Sequence, residues 1–271
     1  MLFLKKIMNK MTNYSKYYDQ KFYSKRHQNT LYSAQRVISI LLDKIPTVNS
    51  AVDVGCGVGT WLSVLKDKGI DNILGIEGYW VDEELLVIPT NCFQKADLTN
   101  IDLTNVSKPY KKYDLTISLE VAEHLPSTCA ESFVFKLTEL SDYILFSAAI
   151  PGQGGASHIN EQWQDYWVEL FSKFGYEMYD FIRPEIWLDN EIPVWYRQNI
   201  LLFVKKHNSS NLNIRNSSTS FNNVLTLNNS VHPDLFQIMV KKLEAKNKAL
   251  KGEISVRDSF KLFLTSLNNY F

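Results

Sequence analysis

The chain has 271 residues and 31.3 kDa, of which 45% are hydrophobic and 21% charged. That balance excludes wholesale disorder and collagen-like structure and leaves material for one full domain with an appendage. Lys plus Arg (29) equals Asp plus Glu (29), so the formal net charge is zero, which argues against a broad nucleic-acid face built to neutralise phosphates.

In chain order, residues 1–48 begin polar and Tyr-rich and turn helical. Leu31, Val37, Ile38, Leu41 and Leu42 recur near helical spacing, and Pro46 marks the stop. The apolar start Met1–Leu4 lacks the order of a secretion signal. Residues 49–206 alternate short apolar runs with amphipathic stretches. Strands are expected at Ser50–Val54, Asn72–Glu77, Cys92–Gln94, Tyr113–Leu119 and Tyr143–Ser147, then at Tyr176–Ile182 and Asn199–Val204. Helices are expected at 61–68, 127–140 and 162–174. Apolar strands alternating with helices predict an α/β domain with a doubly wound, mostly parallel seven-stranded sheet and helices on both faces. The last two strands, adjacent in sequence, suggest an antiparallel addition at one edge. Residues 207–232 are Asn/Ser-rich and read as a linker. Residues 233–271 regain helical period, with Leu235, Ile238, Met239, Leu243 and Leu250 on a stripe, and read as a C-terminal helical extension able to form a dimer contact.

Cys56, Cys92 and Cys129 are far apart and odd in number, which fits neither a disulfide framework nor zinc spacing. A reducing cytoplasm is the expected setting. No apolar run is long enough to span a bilayer.

The chemistry begins at Asp53-Val54-Gly55-Cys56-Gly57-Val58-Gly59, between the first strand and a helix. Glycine permits the sharp turn and the close approach of a ligand to the backbone. Glu77, 20 residues beyond Gly57, ends the second strand, where a carboxylate can accept both ribose hydroxyls. Asp53 would repel the pyrophosphate of a dinucleotide. It suits a ligand with an ammonium group and no phosphate, as in S-adenosylmethionine.

These residues resemble the first motif of class I S-adenosylmethionine-dependent methyltransferases. Ala96-Asp97-Leu98 and Tyr113–Glu120 match further motifs of that family, and the likeness covers about residues 35–205. The resemblance implies a Rossmann-like fold in which Asp53, Gly55, Cys56, Gly57 and Gly59 hold the methionine part, Glu77 the ribose, and Asp97, Leu98 and Leu119 line the adenine side. S-adenosylhomocysteine would be the product. It also implies a helical lid before the first strand, with Tyr23 among its substrate-facing residues.

Glu120-Val121-Ala122-Glu123-His124 follows the fourth strand, at the edge where ligands bind in such sheets. Glu120, Glu123 and His124 can face one point on a helical turn. His158 is a candidate general base, since a neutral imidazole works near physiological pH. The Glu-x-x-Glu-His pattern also resembles metal-dependent O-methyltransferases, which implies a divalent ion on Glu120, Glu123, His124 and His158. The glycine loop Pro151–Gly155 exposes backbone N–H groups suited to a lid or an oxygen-rich substrate. Gln153, Asn160 and Trp163 suit a sugar, and Arg183 and Arg197, expected at the ends of the late strand pair, suit a phosphate or carboxylate. The stretch Ser147–Trp163 resembles methyltransferases of bacterial capsule and surface-glycan synthesis. That resemblance implies O-methylation of a small acceptor, either a sugar hydroxyl or a phosphorylated or phosphoramidate precursor. Two rivals stand beside it: a metal-dependent RNA 2′-O-methyltransferase, and a non-catalytic cofactor-binding subunit of a methylation complex.

Overall fold

The structure, a computed structural model, describes residues 20–101, 112–213 and 229–251. In the first helix, side chains are described at His27 and from Thr30 onward. Tyr23 therefore has a place on a helix and no described side chain, and Tyr14, Tyr17 and Tyr18 lie outside the described residues.

The chain runs α1 (Gln20–Lys44), β1 (Ser50–Val54), α2 (Thr60–Asp67), β2 (Asn72–Glu77), β3 (Phe93–Lys95), β4 (Leu115–Leu119), α3 (Ala130–Leu140), β5 (Tyr143–Ser147), α4 (Gln164–Lys173) and β6 (Tyr176–Tyr179). It continues through α5 (Ile182–Ile186), α6 (Val194–Asn199), β7 (Leu201–Lys205) and α7 (Pro233–Leu250). The seven strands form one sheet in the order β3-β2-β1-β4-β5-β7-β6. Neighbours from β3 to β5 are parallel, and β7 runs antiparallel to both β5 and β6. This is the expected doubly wound sheet with an antiparallel addition at one edge.

Strand alternation sorts the core into two layers, because successive side chains point to opposite faces. Ala51, Leu115, Ile117, Leu145, Leu202 and Val204 face one cluster with Val37, Ile38 and Leu41 of α1 and Trp61, Leu62 and Leu65 of α2. Val52, Val54, Ile76, Ile144, Phe146 and Phe203 face the other, with Phe133, Val134 and Leu137 of α3 and Trp167 and Phe171 of α4. Both faces being covered explains why every residue of β1, β4 and β5 is buried and why these strands are mostly apolar. From Ala34 on, the N-terminal helix buries one face, Ala34, Val37, Ile38 and Leu41, in the first cluster. That part of residues 1–48 packs as a layer of the domain.

The late region departs from expectation. Two short helices, α5 and α6, stand between β6 and β7, and Ile182, expected in a strand, begins α5. Isoleucines 182, 186, 192 and 200 are buried in the first cluster, and tertiary burial overrides their strand preference. The expected linker opens with a 3-10 segment at Lys206–Asn211, and residues 214–228 lie outside the described set. Among the described residues no helix is long and apolar enough to cross a membrane.

Candidate functional site

All parallel strands deliver their carboxyl ends to one edge, and the strand order reverses between β1 and β4. A crevice forms at such a reversal because the connections leave β1 and β4 in opposite directions.

On the β1 side, Gly55 (φ 87°), Gly57 (φ 55°) and Gly59 (φ 89°) all adopt the left-handed region. A Cβ on Gly55 would sit 2.2 Å from Val121 Cγ2, so β4's loop closes directly on this turn. A Cβ on Gly57 would meet nothing within 4 Å, which leaves the backbone open on its outer side. Glu77 reaches back across the loop. Its Oε2 accepts from Gly57 N–H at 2.8 Å and its Oε1 from Gly78 N–H at 2.7 Å. Asp53 is 2% exposed, and its Oδ2 has no protein partner. Burial and the nearby charge of Glu77 push the Asp53 carboxyl well above the usual carboxylate range. A buried acid so strained calls for a cationic group beside it. Cys56 is buried and its thiol is pushed up, chiefly by burial, so it is a packing residue of the loop and a poor nucleophile. Asp97 is exposed and caps its own turn through Thr99 N–H (2.9 Å) and Oγ1 (2.6 Å), while Leu98 and Leu119 are buried, the one in the second core cluster and the other in the first.

On the β4 side, Glu120 takes a left-handed backbone (φ 56°), a strained conformation for a residue with a Cβ. Its N–H is held by Ser147 O (3.1 Å) and Oγ (3.0 Å). Its carboxylate accepts from Gln153 Nε2 (3.1 Å) and Asn199 Nδ2 (3.0 Å), and Asn199 Nδ2 also bonds Gln153 Oε1 (3.0 Å). Burial pushes the Glu120 carboxyl up against these bonds and the charge of His158. This network corrects two expectations. Glu120 is held by Gln153 and Asn199 and does not join the group formed by Glu123, His124 and His158, and Gln153, 2% exposed, is locked inside the protein rather than offered to an acceptor.

Glu123, His124 and His158 do converge: one ligand atom from each lies within 4.8 Å of the others. Glu123 is fully buried, and His158 Nε2 lies 3.9 Å from its Oε1. The rings of His124 and His158 meet edge to face at 4.8 Å. Residues 158–160 are docked there by backbone bonds from Ile159 N and Asn160 N to Glu123 O (2.9 and 3.0 Å).

The glycine loop after β5 is filled from within. Glu161 accepts from Gly152 N–H (2.8 Å), Gly154 N–H (2.6 Å) and His158 Nδ1 (3.0 Å). The N–H groups expected to meet a substrate are therefore taken by the protein's own carboxylate. From the other side α7 lies against the loop: Lys242 Nζ donates to Gln153 O (2.9 Å), and Met239 Cε is 2.7 Å from where a Cβ of Gly152 would be.

Four remaining candidates separate. Asn160 is 3% exposed with Nδ2 unpartnered, and Trp163, three residues on, is 38% exposed, whereas Trp167, four residues further, is core. Arg183 is buried and paired bidentately with Asp180, with a further bond to Gln198 O (3.1 Å). Arg197 donates to Ile192 O (2.9 Å) and Trp187 O (3.1 Å) and pairs with Asp234 (3.0 Å). Both guanidinium groups are committed to tying α5, α6 and α7 together, and neither is available to an anionic acceptor. Glu161, Asn199 and Lys242 were not anticipated as site residues. Only Glu161 left a sequence signal, its place three residues after His158.

Residues 25–133 match the family model for a methyltransferase domain. No curated protein sequence matches the chain. Among solved structures, a chain of the Haloferax volcanii complex with the Trm112 methyltransferase activator is 14% identical, covering 69% of this chain and 97% of its own, with a TM-score of 0.47. A SAM-dependent methyltransferase from Archaeoglobus fulgidus is 15% identical (65% and 93% covered, TM-score 0.45). Magnesium protoporphyrin IX methyltransferase from Synechocystis PCC 6803, with bound SAH, is 18% identical (66% and 83%, TM-score 0.43).

Proposed function

We propose that the chain is an S-adenosylmethionine-dependent O-methyltransferase acting on a hydroxyl of a small polar acceptor, with sugar units of a surface glycan as the substrate class. The observation that carries the donor half is the buried, unpartnered Asp53 beside the open Gly57 backbone and Glu77. The methyltransferase-domain match over residues 25–133 agrees with it. The residues fit the donor: Asp53 and the Gly55–Gly59 loop toward its ammonium end, Glu77 toward its ribose, Leu98 and Leu119 behind its base. When bound, the donor supplies a methyl group activated by the sulfonium.

On the acceptor half, His158 Nε2 takes the hydroxyl proton as the oxygen attacks the methyl carbon and the carbon–sulfur bond breaks. Glu123 and His124 shape the surroundings of that nitrogen. Asn160 Nδ2 and both amide atoms of Gln164 are buried and unpartnered, a hydrogen-bonding capacity suited to a polyhydroxylated ligand. With Arg183 and Arg197 internally paired, a sugar hydroxyl fits better than a phosphorylated precursor.

A second reading rests on the convergence of Glu123, His124 and His158. One carboxylate and two imidazoles suit manganese, iron or zinc better than magnesium, and such an ion would acidify the hydroxyl directly. It is the form an RNA 2′-O-methyltransferase reading would take. Labelled S-adenosylmethionine, incubated with the full chain and extract of cells lacking it, separates the readings. Chelator-resistant label in glycan or its precursors supports the first. Label in RNA, lost with chelator and restored by manganese, overturns it in favour of the second. Donor binding with no label transferred overturns both and leaves a cofactor-binding subunit.

A further inference from the structure

We propose that Glu161 is the positioning residue of His158: anchored in the glycine loop, it accepts the hydrogen bond of Nδ1–H and leaves the lone pair of the neutral ring on Nε2, on the side of Glu123. This rests on the methyl-transfer reading for its purpose, but the positioning itself is a property of the folded chain.

Glu161 receives three contacts on two oxygens: Gly152 N–H on Oε2, Gly154 N–H and His158 Nδ1 on Oε1. Each oxygen already accepts a backbone N–H, at 2.8 and 2.6 Å, which is the arrangement of an ionised carboxylate. An ionised carboxylate donates nothing. The hydrogen in the 3.0 Å contact therefore belongs to Nδ1, and a neutral ring must carry its lone pair on Nε2. Without such a partner, the nearest carboxylate would be Glu123, 3.9 Å from Nε2, which would favour the opposite tautomer.

The loop is shaped for this task. Gly152 (φ 84°) and Gly154 (φ 68°) turn their N–H groups inward as an anion-binding nest, and the anion is Glu161. Gly155 supplies the clearance, because a Cβ there would lie 2.2 Å from His158 Nε2. Lys242 of α7 then pins the loop through Gln153 O and adds its charge near Glu161. On proton uptake at Nε2 the imidazolium would keep its Nδ1–H on the carboxylate, so the developing charge is met without any group moving. The same logic operates wherever a carboxylate orients a catalytic imidazole.

The test uses the full chain with ¹⁵N-labelled histidine. Long-range ¹H–¹⁵N correlation identifies the tautomer of each ring, and the His158 signals are assigned by their loss in His158→Gln. The wild type is expected to show Nδ1–H with an unprotonated Nε2. Glu161→Ala is expected to populate the other tautomer and to lower kcat on the order of 10²-fold, with donor affinity held within about twofold. Glu161→Leu, which keeps much of the side-chain bulk but cannot accept a hydrogen bond, gives the same readout should the alanine variant fail to fold. An unchanged His158 tautomer in a folded Glu161 variant overturns the proposal. A tautomer switch in a protein that transfers no methyl group upholds the positioning and overturns the proposed reaction instead.

Discussion

The two halves of the carboxyl edge are built from different materials. The donor half is mostly backbone: three left-handed glycines in a short loop, closed by one carboxylate 20 residues away. The acceptor half is a mesh of side chains from distant segments. Glu120 meets Gln153 and Asn199 across 33 and 79 residues, and Gln153 meets Lys242 across 89. A backbone cradle depends on local sequence, whereas a side-chain mesh depends on how helices dock. Variants in the first half should act on affinity or on the fold, and variants in the second on turnover.

The largest expected effect tests the acceptor half. His158→Ala should lower turnover by roughly 10²–10⁴-fold, the usual range for a general base, while donor affinity stays within about twofold. Turnover and equilibrium donor binding measured on one preparation check it, and normal turnover would remove His158 from the chemistry. The mirror experiment is Glu77→Ala. Bonds to a charged acceptor are worth about 1.5–3 kcal/mol each, so donor affinity should fall on the order of 10²-fold. Turnover at saturating donor should change far less. Equal losses in both constants would dissolve the distinction between the halves.

Within the donor half, Gly55 and Gly57 share the left-handed backbone but differ in surroundings. Alanine at Gly55 meets Val121 at 2.2 Å and should cost about 2–4 kcal/mol in unfolding free energy, strain and overpacking together. Alanine at Gly57 meets no atom within 4 Å and should cost only about 1–2 kcal/mol, the backbone term, while weakening donor binding. Denaturant unfolding of both variants, with donor titrations, decides it; equal stability losses would mean that the close approach to Val121 is not what fixes the turn.

Asp53 sharpens the contrast in the opposite direction. Burial, then Glu77, raises its pKa in the fold. A carboxyl raised above its unfolded value contributes stability that is present at low pH and lost as pH rises through the folded value. Asp53→Asn lacks that loss. The donor-free variant should therefore melt higher than the wild type at neutral pH, the gap should shrink on acidification, and donor affinity should fall. A variant less stable than the wild type at neutral pH would show that the Asp53 charge is already satisfied by the protein.

The same difference of materials explains what was legible in the sequence. Strand β1, strand β2 and the loop with Glu77 follow from short apolar runs and glycine spacing, and the structure places them as expected. Glu120, Glu123 and His124 sit on consecutive turns and read alike, yet Glu120 is captured by Gln153 and Asn199 and leaves the cluster. Nothing local separates them, because the deciding partner arrives with α6. Arg183 and Arg197 misled for the same reason. Guanidinium groups at the ends of the late strand pair suit an anionic ligand, but Asp180 and Asp234 neutralise them, and Asp234 belongs to a helix beyond the expected linker.

That last helix gives the smallest expected effect and the one most specific to the acceptor half. His232 caps α7: its Nδ1 accepts from Asp234 N–H (3.1 Å), and its Nε2 meets Trp187 O (2.8 Å). Since a carbonyl cannot donate, Nε2 carries the hydrogen and Nδ1 the lone pair. Burial lowers the His232 pKa; Arg197 adds to this, while Trp187 O and Asp234 oppose it. A histidine lowered in this way contributes stability that is present above its unfolded value, 6.5, and lost as pH falls through the folded value. Protonation would place a hydrogen on Nδ1, end its acceptance from Asp234 N–H and add a charge beside Arg197. Amide exchange in α7 should therefore quicken as pH falls from about 7.5 to 5 after correction for intrinsic rates, while exchange in β1 and α2 keeps its corrected rate. His232→Asn, which can still cap the helix without titrating, should flatten the response. Loss of α7 frees Lys242 from Gln153 O, so the glycine loop around Glu161 should loosen next, before the donor loop does. Simultaneous loosening of both loops would mean that the two halves of the edge open as one unit.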